Sequence, residues 1–171
     1  MLPARDMLDL LARFGDPRPY LRPDGTIAPS WELKILTTIH LPAPLRLGWL
    51  PPGMSEAPLV WRIRCNRGIA ADLSLVYHAI YDEDLWPLLK TFDGCYAWRR
   101  QRGSLTRPSM HSWGLAVDHN AFEDPQGDPV IDMDSRIVGV FKRYGFRWGG
   151  DWKMPRTDAM HFDAADERSG L

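Results

Sequence analysis

The segment SMHSWGLAVDHN, residues 109 to 120, is the part of the sequence that says most about the fold of this chain. Within it, Leu115 and Val117 alternate with smaller or polar residues, which is typical of a short strand with two different faces. Leu115 and Val117 are expected to pack in the core, so Asp118 would lie on the opposite face. The sequence therefore predicts a strand that presents a carboxylate to a site.

His111 lies in the same segment, with six residues between it and Asp118. This spacing lets a loop and a short strand bring an imidazole and a carboxylate to one point. Gly114 eases the turn between them, because glycine adopts backbone conformations that other residues avoid. We therefore predict that His111 and Asp118 bind one metal ion.

A second segment, RWGGDWKMPRTDAMHFD, residues 147 to 163, contains the best candidate for a third ligand. His161 lies between the apolar residues Met160 and Phe162 in a strand-like run. Two histidines and one carboxylate suit catalytic zinc, since a fourth position stays open for a water whose pKa falls to about 7. The predicted metal ligands are therefore His111, Asp118 and His161.

A general base is expected near such a water. Asp158 lies three residues before His161. From there its carboxylate could accept the proton of the attacking water and pass it to the leaving amine. We therefore predict that Asp158 is the catalytic base.

These residues carry a family resemblance. Residues 109–118 match a Ser-x-His-x-x-Gly-x-Ala-x-Asp motif, and Asp158 and His161 match a second motif, an acidic residue three positions before a histidine. The chain resembles the zinc peptidases that include D-alanyl-D-alanine carboxypeptidases and the L-alanyl-D-glutamate peptidases of phage endolysins. The resemblance covers residues 93–163, including WGGDW at residues 148–152, whereas residues 1–30 match no pattern of the family.

The resemblance implies an α+β fold of the hedgehog and DD-peptidase type, with a small, mostly antiparallel sheet flanked by helices and zinc in a cleft. It also implies a catalytic arginine on the substrate side, ahead of the first motif. Arg99 is the best match to this arginine, and Arg102 is the alternative. An arginine there could stabilise an oxyanion or bind a substrate carboxylate with two hydrogen bonds.

The composition is that of an ordinary globular chain. It has 171 residues, of which 44% are hydrophobic and 25% charged, and a net charge of −1 gives no overall attraction to nucleic acid. The N-terminal residues resemble neither a signal peptide nor a membrane span, because Asp6 and Asp9 interrupt the apolar stretch. We expect synthesis in the cytoplasm and no stable insertion into a membrane. Cys65 and Cys95 are expected to be buried free thiols.

Hydrophobic spacing predicts the remaining elements. Residues 1–30 are expected to form an N-terminal helix, from Met7 to Phe14, and an irregular strap, and residues 31–171 a single zinc peptidase domain. The expected strands are 33–39 and 60–65, the second with Trp61, Ile63 and Cys65 on an apolar face. The first expected helix runs from residue 69 to near the acidic cluster 82–84, and the second from 135 to 145, with Ser135 as its N-cap.

Other polar and aromatic residues are given structural roles. His119 is expected to point away from the site, and His40 and His78 to be structural. Asp151 and Asp163 could orient the ligand imidazoles, although Asp163 is predicted to be a surface carboxylate. For Trp113, Trp148 and Trp152, a place in a substrate groove and packing in the core stay equally open. The acidic run 123–134 is predicted to be a solvated loop rather than a calcium site.

The predicted function is zinc-dependent hydrolysis of the peptidoglycan stem peptide. An L-alanyl-D-glutamate endopeptidase of the phage endolysin type is favoured, because Asp at position 158 and the WGGDW run look more like those enzymes. The alternatives are a D-alanyl-D-alanine carboxypeptidase and a non-catalytic zinc-stabilised binding or virion module. The expected place of action is the cell wall after release, and a role in phage lysis follows from the resemblance alone. Protein partners and oligomeric state stay open.

Overall fold

A computed structural model describes residues 6–165 and has α+β architecture, with four α-helices and six strands in that part of the chain. The helices are α1 (Met7–Phe14), α2 (Pro29–Ile35), α3 (Ala70–Asp82) and α4 (Ser135–Arg143). The strands are β1 (Leu36–Arg46), β2 (Leu59–Asn66), β3 (Phe92–Gly94), β4 (Ala116–His119), β5 (Arg147–Trp148) and β6 (His161–Asp163). The predicted α+β class is confirmed.

Helix α1 has the predicted bounds. It begins after Asp6, whose side chain accepts a hydrogen bond from the backbone of Asp9, and it ends at Gly15, which has a φ of 83°. Both ends follow the usual capping chemistry. Leu10 is fully buried and belongs to the same hydrophobic core cluster as Trp31 of α2.

The predicted strand 33–39 is wrong at its start, because residues 33–35 belong to helix α2. Pro29 is favourable in the first helical turn, and Trp31 and Ile35 are buried one turn apart. From Leu36 the chain is extended, and β1 continues to Arg46. Local apolar composition did not distinguish the last helical turn from the strand that follows it.

Strands β1 and β2 form an antiparallel pair in which Ile39 lies opposite Ile63. Ile63 and Cys65 are buried as predicted, but Trp61 on the same face is 55% exposed. The pairing is irregular between His40 and Leu45, opposite Trp61. The predicted apolar face therefore packs on the core only over its second half.

Helices α3 and α4 lie close to their predicted positions. Leu73, Val76, Tyr77 and Ile80 form the buried face of α3. The N-cap of α4 is Asp134 and not the predicted Ser135, because the Asp134 side chain accepts a hydrogen bond from the backbone of Arg136. Ser135 is the first helical residue.

The second sheet has four antiparallel strands in the order β3-β4-β6-β5. Val117 lies opposite Phe162 and Asp118 opposite His161 in the pairing of β4 with β6. Phe162 is fully buried and stacks on Phe141 of α4, with ring centroids 4.0 Å apart. The two motif segments are therefore neighbouring strands, supported by a helix.

The N-terminal segment shares the core of the rest of the chain, since Leu10 and Ile27 lie in the common hydrophobic cluster. The division of the chain at residue 30 stays a prediction. Over residues 6–165, none of the helices has the length and apolar character that crossing a bilayer requires.

Candidate metal centre

His111, Asp118 and His161 are brought together with ligand atoms that all lie within 4.8 Å of one another. His161 Nδ1 is 2.8 Å from Asp118 Oδ1, and His111 Nε2 is 3.2 Å from Asp118 Oδ2. The two ring nitrogens are 3.2 Å apart. All three side chains are buried. In residues 6–165 this is the one group of three or more such residues close enough to hold a metal ion.

A short 3₁₀ helix, Met110–Trp113, positions His111 ahead of strand β4. Gly114 ends it in a left-handed conformation with φ 65°. A Cβ at this position would lie 2.9 Å from the Leu36 side chain and 3.0 Å from the backbone nitrogen of Asn66. Gly114 is therefore required both for the turn, as predicted, and for the close approach of β2.

The far nitrogen of each imidazole is held by an acceptor. His111 Nδ1 is 2.8 Å from the carbonyl oxygen of Cys95, and a carbonyl only accepts, so Nδ1 carries the proton. His161 Nε2 is 3.2 Å from a carboxylate oxygen of Asp163. In the neutral rings, the nitrogens that face Asp118 therefore offer lone pairs. Two bare nitrogens and a carboxylate at one point fit a bound cation.

The charges of the cluster give the same indication. Burial by itself would raise the pKa of Asp118, yet His111 and His161 hold it well below its usual range. Burial lowers the pKa of His111. Burial also acts to lower the pKa of His161, but hydrogen bonds and charges of Asp118 and Asp163 outweigh it and raise that pKa to about 10. The position facing Asp118 thus favours a positive charge, whether a proton or a metal ion.

Asp163 is not the predicted surface carboxylate. It is 1% exposed and bonded to both His161 and Arg147. Burial would raise its pKa, but His161 and Arg147 lower it to about 2. Asp151, the other candidate for orienting an imidazole, forms a half-exposed ion pair with Lys142 instead. The sequence left Arg147 without a role, because its pairing with Asp163 arises from strands that meet only in the fold.

Asp158, the predicted base, is 7% exposed, and its Oδ1 has no hydrogen-bond partner among the described residues. Burial raises the pKa of Asp158 to about 6. The charge of His161 acts to lower this pKa, and the charge of Asp118 acts to raise it. Gly149 packs tightly against this segment, since a Cβ there would lie 2.4 Å from the Asp158 carbonyl oxygen. Position 149 of the WGGDW run therefore requires a glycine if the Asp158 backbone is to keep its position.

Arg99 reaches the site from the solvent side. Its Nη2 is 3.0 Å from Asp118 Oδ2, and its side chain is 49% exposed. After burial, which raises the pKa of Asp158, the positive charges of Arg99 and Arg102 both act to lower it. Of the two, Arg99 is the one with a hydrogen bond to a predicted ligand.

The other predicted residues divide into core and site-adjacent groups. His119 is fully buried between the Tyr77 hydroxyl and the Thr91 carbonyl, at 2.9 Å from each, and so has a structural environment. Trp113 is core, bonded to the Gly15 carbonyl, whereas the Trp152 ring lies 5.5 Å from the ring of His161. Trp148 is partly buried, and its indole nitrogen donates a hydrogen bond to the Ala159 carbonyl. His40 and His78 are both exposed.

Two further predictions have a clear outcome. Cys65 and Cys95 are buried free thiols, as expected. The acidic run 123–134 is not wholly solvated, because Asp124 is 1% exposed and accepts hydrogen bonds from the backbones of Asp132 and Met133. Asp124 Oδ1 thus joins the start of this loop to its end.

Comparisons with known proteins agree with the site. Residues 102–164 match the model of a family described as D-alanyl-D-alanine carboxypeptidase. The chain is also 36% identical over 56 residues to the peptidoglycan L-alanyl-D-glutamate endopeptidase CwlK of Bacillus subtilis (strain 168), a match covering 26% of this chain and 33% of CwlK. The matched part thus spans about a third of that relative's length.

The segment that matches the family model contains both motifs, the one from Ser109 to Asp118 and the one formed by Asp158 and His161. Over this segment the comparisons confirm the predicted resemblance to the zinc peptidases that include D-alanyl-D-alanine carboxypeptidases and L-alanyl-D-glutamate endopeptidases.

Proposed function

We propose that this chain is a zinc-dependent peptidoglycan hydrolase that cuts the stem peptide. Zinc would be held by His111 Nε2, a carboxylate oxygen of Asp118 and His161 Nδ1. The observation that carries the proposal is that Nε2 of His111 and Nδ1 of His161 both face Asp118, while the acceptors on Cys95 and Asp163 lie at the far nitrogen of each ring. Three protein ligands are the usual number at a catalytic zinc site.

When bound, zinc supplies Lewis-acid chemistry for activating water and polarising a peptide carbonyl. Asp158 would take the proton from the attacking water and give it to the leaving amine. Its burial, its partnerless Oδ1 and its raised pKa all suit a base that must exchange a proton near neutral pH. Arg99 would bind the substrate carboxylate or the developing oxyanion, since half of its side chain is exposed beside Asp118.

The bond we favour is that between L-alanine and D-glutamate. Similarity to CwlK supports this choice, together with Asp at position 158 and the WGGDW run. Cleavage of the terminal D-alanine is the second candidate, favoured by the description of the matching family model. In either case the fold would be of the hedgehog and DD-peptidase type, residues 31–171 would form the catalytic domain, and the enzyme would act at the cell wall.

Mass spectrometry of purified peptidoglycan incubated with the zinc-loaded protein tests the proposal. A parallel sample contains a chelator, and a third receives zinc again after chelation. New L-alanine carboxyl and D-glutamate amino ends that need zinc would establish the endopeptidase. Release of free D-alanine alone would move the assignment to a carboxypeptidase. No zinc-dependent product from several wall types, with zinc bound, would favour a non-catalytic module.

A further inference from the structure

A buried ion pair lies directly behind the candidate metal centre. Arg147 donates from Nε to Asp163 Oδ1 at 3.1 Å and from Nη2 to Asp163 Oδ2 at 2.7 Å. Arg147 is 7% exposed and Asp163 is 1% exposed. The two residues are direct partners in the pairing of β5 with β6. A buried pair with this two-bonded geometry is both directional and costly to disturb.

Within residues 6–165, each oxygen of the Asp163 carboxylate has two hydrogen-bonding neighbours. Besides Arg147 Nε, Oδ1 accepts a hydrogen bond from the backbone of Ala165 at 3.0 Å. Besides Arg147 Nη2, Oδ2 faces His161 Nε2 at 3.2 Å. The carboxylate plane is therefore held from one side by the guanidinium, and a single oxygen is presented to the His161 ring.

Arg147 is in turn held in place. Its guanidinium carbon lies 5.0 Å from the centroid of the Trp152 ring, a favourable cation–π arrangement. The same Trp152 ring lies 5.5 Å from the ring of His161. The indole therefore packs beside both the arginine and the predicted ligand, although it forms no part of the ligand set.

We infer that Arg147 is a positioning residue for the metal centre: through Asp163 it fixes the His161 ring so that Nδ1 faces the metal. The inference rests on the proposed zinc site. Without the guanidinium, Asp163 could turn about its side-chain torsions and would leave an unbalanced negative charge in the interior. A lysine would restore the charge but not the two-bonded fork that holds the carboxylate plane. Arg147 thus acts on zinc binding without touching zinc.

The test measures zinc affinity by competition with a chromophoric chelator, using Zn²⁺ itself as the probe. The variants are Arg147→Met, Arg147→Lys, Asp163→Asn and the double variant Arg147→Met with Asp163→Asn. Arg136→Met is the matched control, because Arg136 forms an exposed ion pair with Asp134 on α4. Circular dichroism confirms that each variant is folded before its affinity is compared.

Loss of a partner of this kind typically weakens metal binding by about 10–100-fold. We expect a loss in that range for Arg147→Met and for Asp163→Asn, partial recovery for Arg147→Lys, and no change for Arg136→Met. Because Arg147 acts through Asp163, the double variant should bind zinc no more weakly than Asp163→Asn alone. A merely structural arginine would instead lower stability and leave the zinc affinity of the folded protein unchanged.

Unchanged zinc affinity in folded Arg147→Met would overturn the inference, as would losses that simply add in the double variant. If Arg147→Met does not fold, Asp163→Asn, which keeps the side-chain shape, and Arg147→Lys decide in its place. Unchanged affinity in both would also overturn the inference. Failure of the unsubstituted protein to bind zinc would instead overturn the proposed function, so the two failures are distinguishable.

Discussion

The two sides of the candidate metal centre differ in how their polar groups are partnered. On the closed side, which we define by Cys95, Arg147 and Asp163, groups behind the two imidazoles are buried and hydrogen-bonded. The open side is defined by Arg99 and Asp158. The Arg99 side chain is half exposed, and Asp158 has a buried oxygen without a hydrogen-bond partner among the described residues.

This difference shows how one site can combine rigidity with chemistry. Buried polar groups are costly unless they are hydrogen-bonded, so a fully bonded shell holds its ligands in one orientation. A partnerless buried carboxylate is tolerated where it has work to do, such as exchanging a proton. The closed side is therefore expected to control metal affinity, and the open side to control turnover.

The largest expected effect comes from Asp158→Asn on the open side. Loss of a general base typically lowers the rate by about 10²–10⁴-fold. We expect hydrolysis of peptidoglycan to fall in that range while zinc content, measured by atomic absorption, is unchanged. Asp151→Asn is the control, since Asp151 lies in the same segment but pairs with Lys142. Full activity in Asp158→Asn would exclude it as the base.

The next effect separates Arg99 from Arg102. Removal of one oxyanion donor typically lowers kcat by about 10²–10³-fold. We expect a loss of that size in kcat/KM for Arg99→Met and a much smaller one for Arg102→Met, because Arg99 is hydrogen-bonded to Asp118. Both variants are assayed at saturating zinc, with zinc content measured by atomic absorption, so that the losses report on the substrate side. The reverse order would assign the substrate-side role to Arg102.

The turn that places His111 is tested by Gly114→Ala. A left-handed conformation costs an alanine about 1–2 kcal/mol, and overpacking adds about 1–3 kcal/mol. Urea denaturation should show both losses, because the new Cβ would contact Leu36 and the backbone of Asn66. Gly103→Ala is the matched control, with φ 78° and open space around it, and should show the first loss alone. Equal losses would mean that the close approach of β2 has no energetic consequence.

The smallest effect concerns His119, a buried histidine outside both sides of the site. His119→Ala would leave the Tyr77 hydroxyl without its partner, which typically costs about 1–3 kcal/mol of stability. We expect a lower urea midpoint and unchanged zinc affinity in the folded protein. His161→Ala provides the contrast, since it should abolish tight zinc binding. A comparable loss of zinc in His119→Ala would give His119 a role at the metal.

Much of the fold was predictable from local patterns. Helices α1 and α3 follow from apolar spacing and end signals that lie within a few residues, so their bounds agree with the prediction. The start of β1 was not predictable, because Trp31 and Ile35 are buried by helix packing and a strand would bury a similar apolar set. The exposure of Trp61 depends on an irregular strand pairing that no local pattern reveals.

By itself, the sequence determined which residues could meet at the site. Motif spacing and order predicted that His111, Asp118 and His161 converge, and the structure brings them within 4.8 Å, while their role as zinc ligands stays a prediction. Asp158 was predicted in the same way. Short-range spacing contains this information for His111 and Asp118, because a loop and a strand suffice to bring them together. His161, which is 43 residues from Asp118, was predicted from its own motif.

Only the tertiary structure decided what surrounds those residues. The sequence predicted that Asp163 is exposed and assigned no role to Arg147, yet both are buried behind His161. Whether a carboxylate is exposed or holds a ring depends on which strand packs beside it, and here β5, which follows α4 in the chain, pairs with β6. Burial and charge pairing are properties of the assembled sheet, so no single segment contains them.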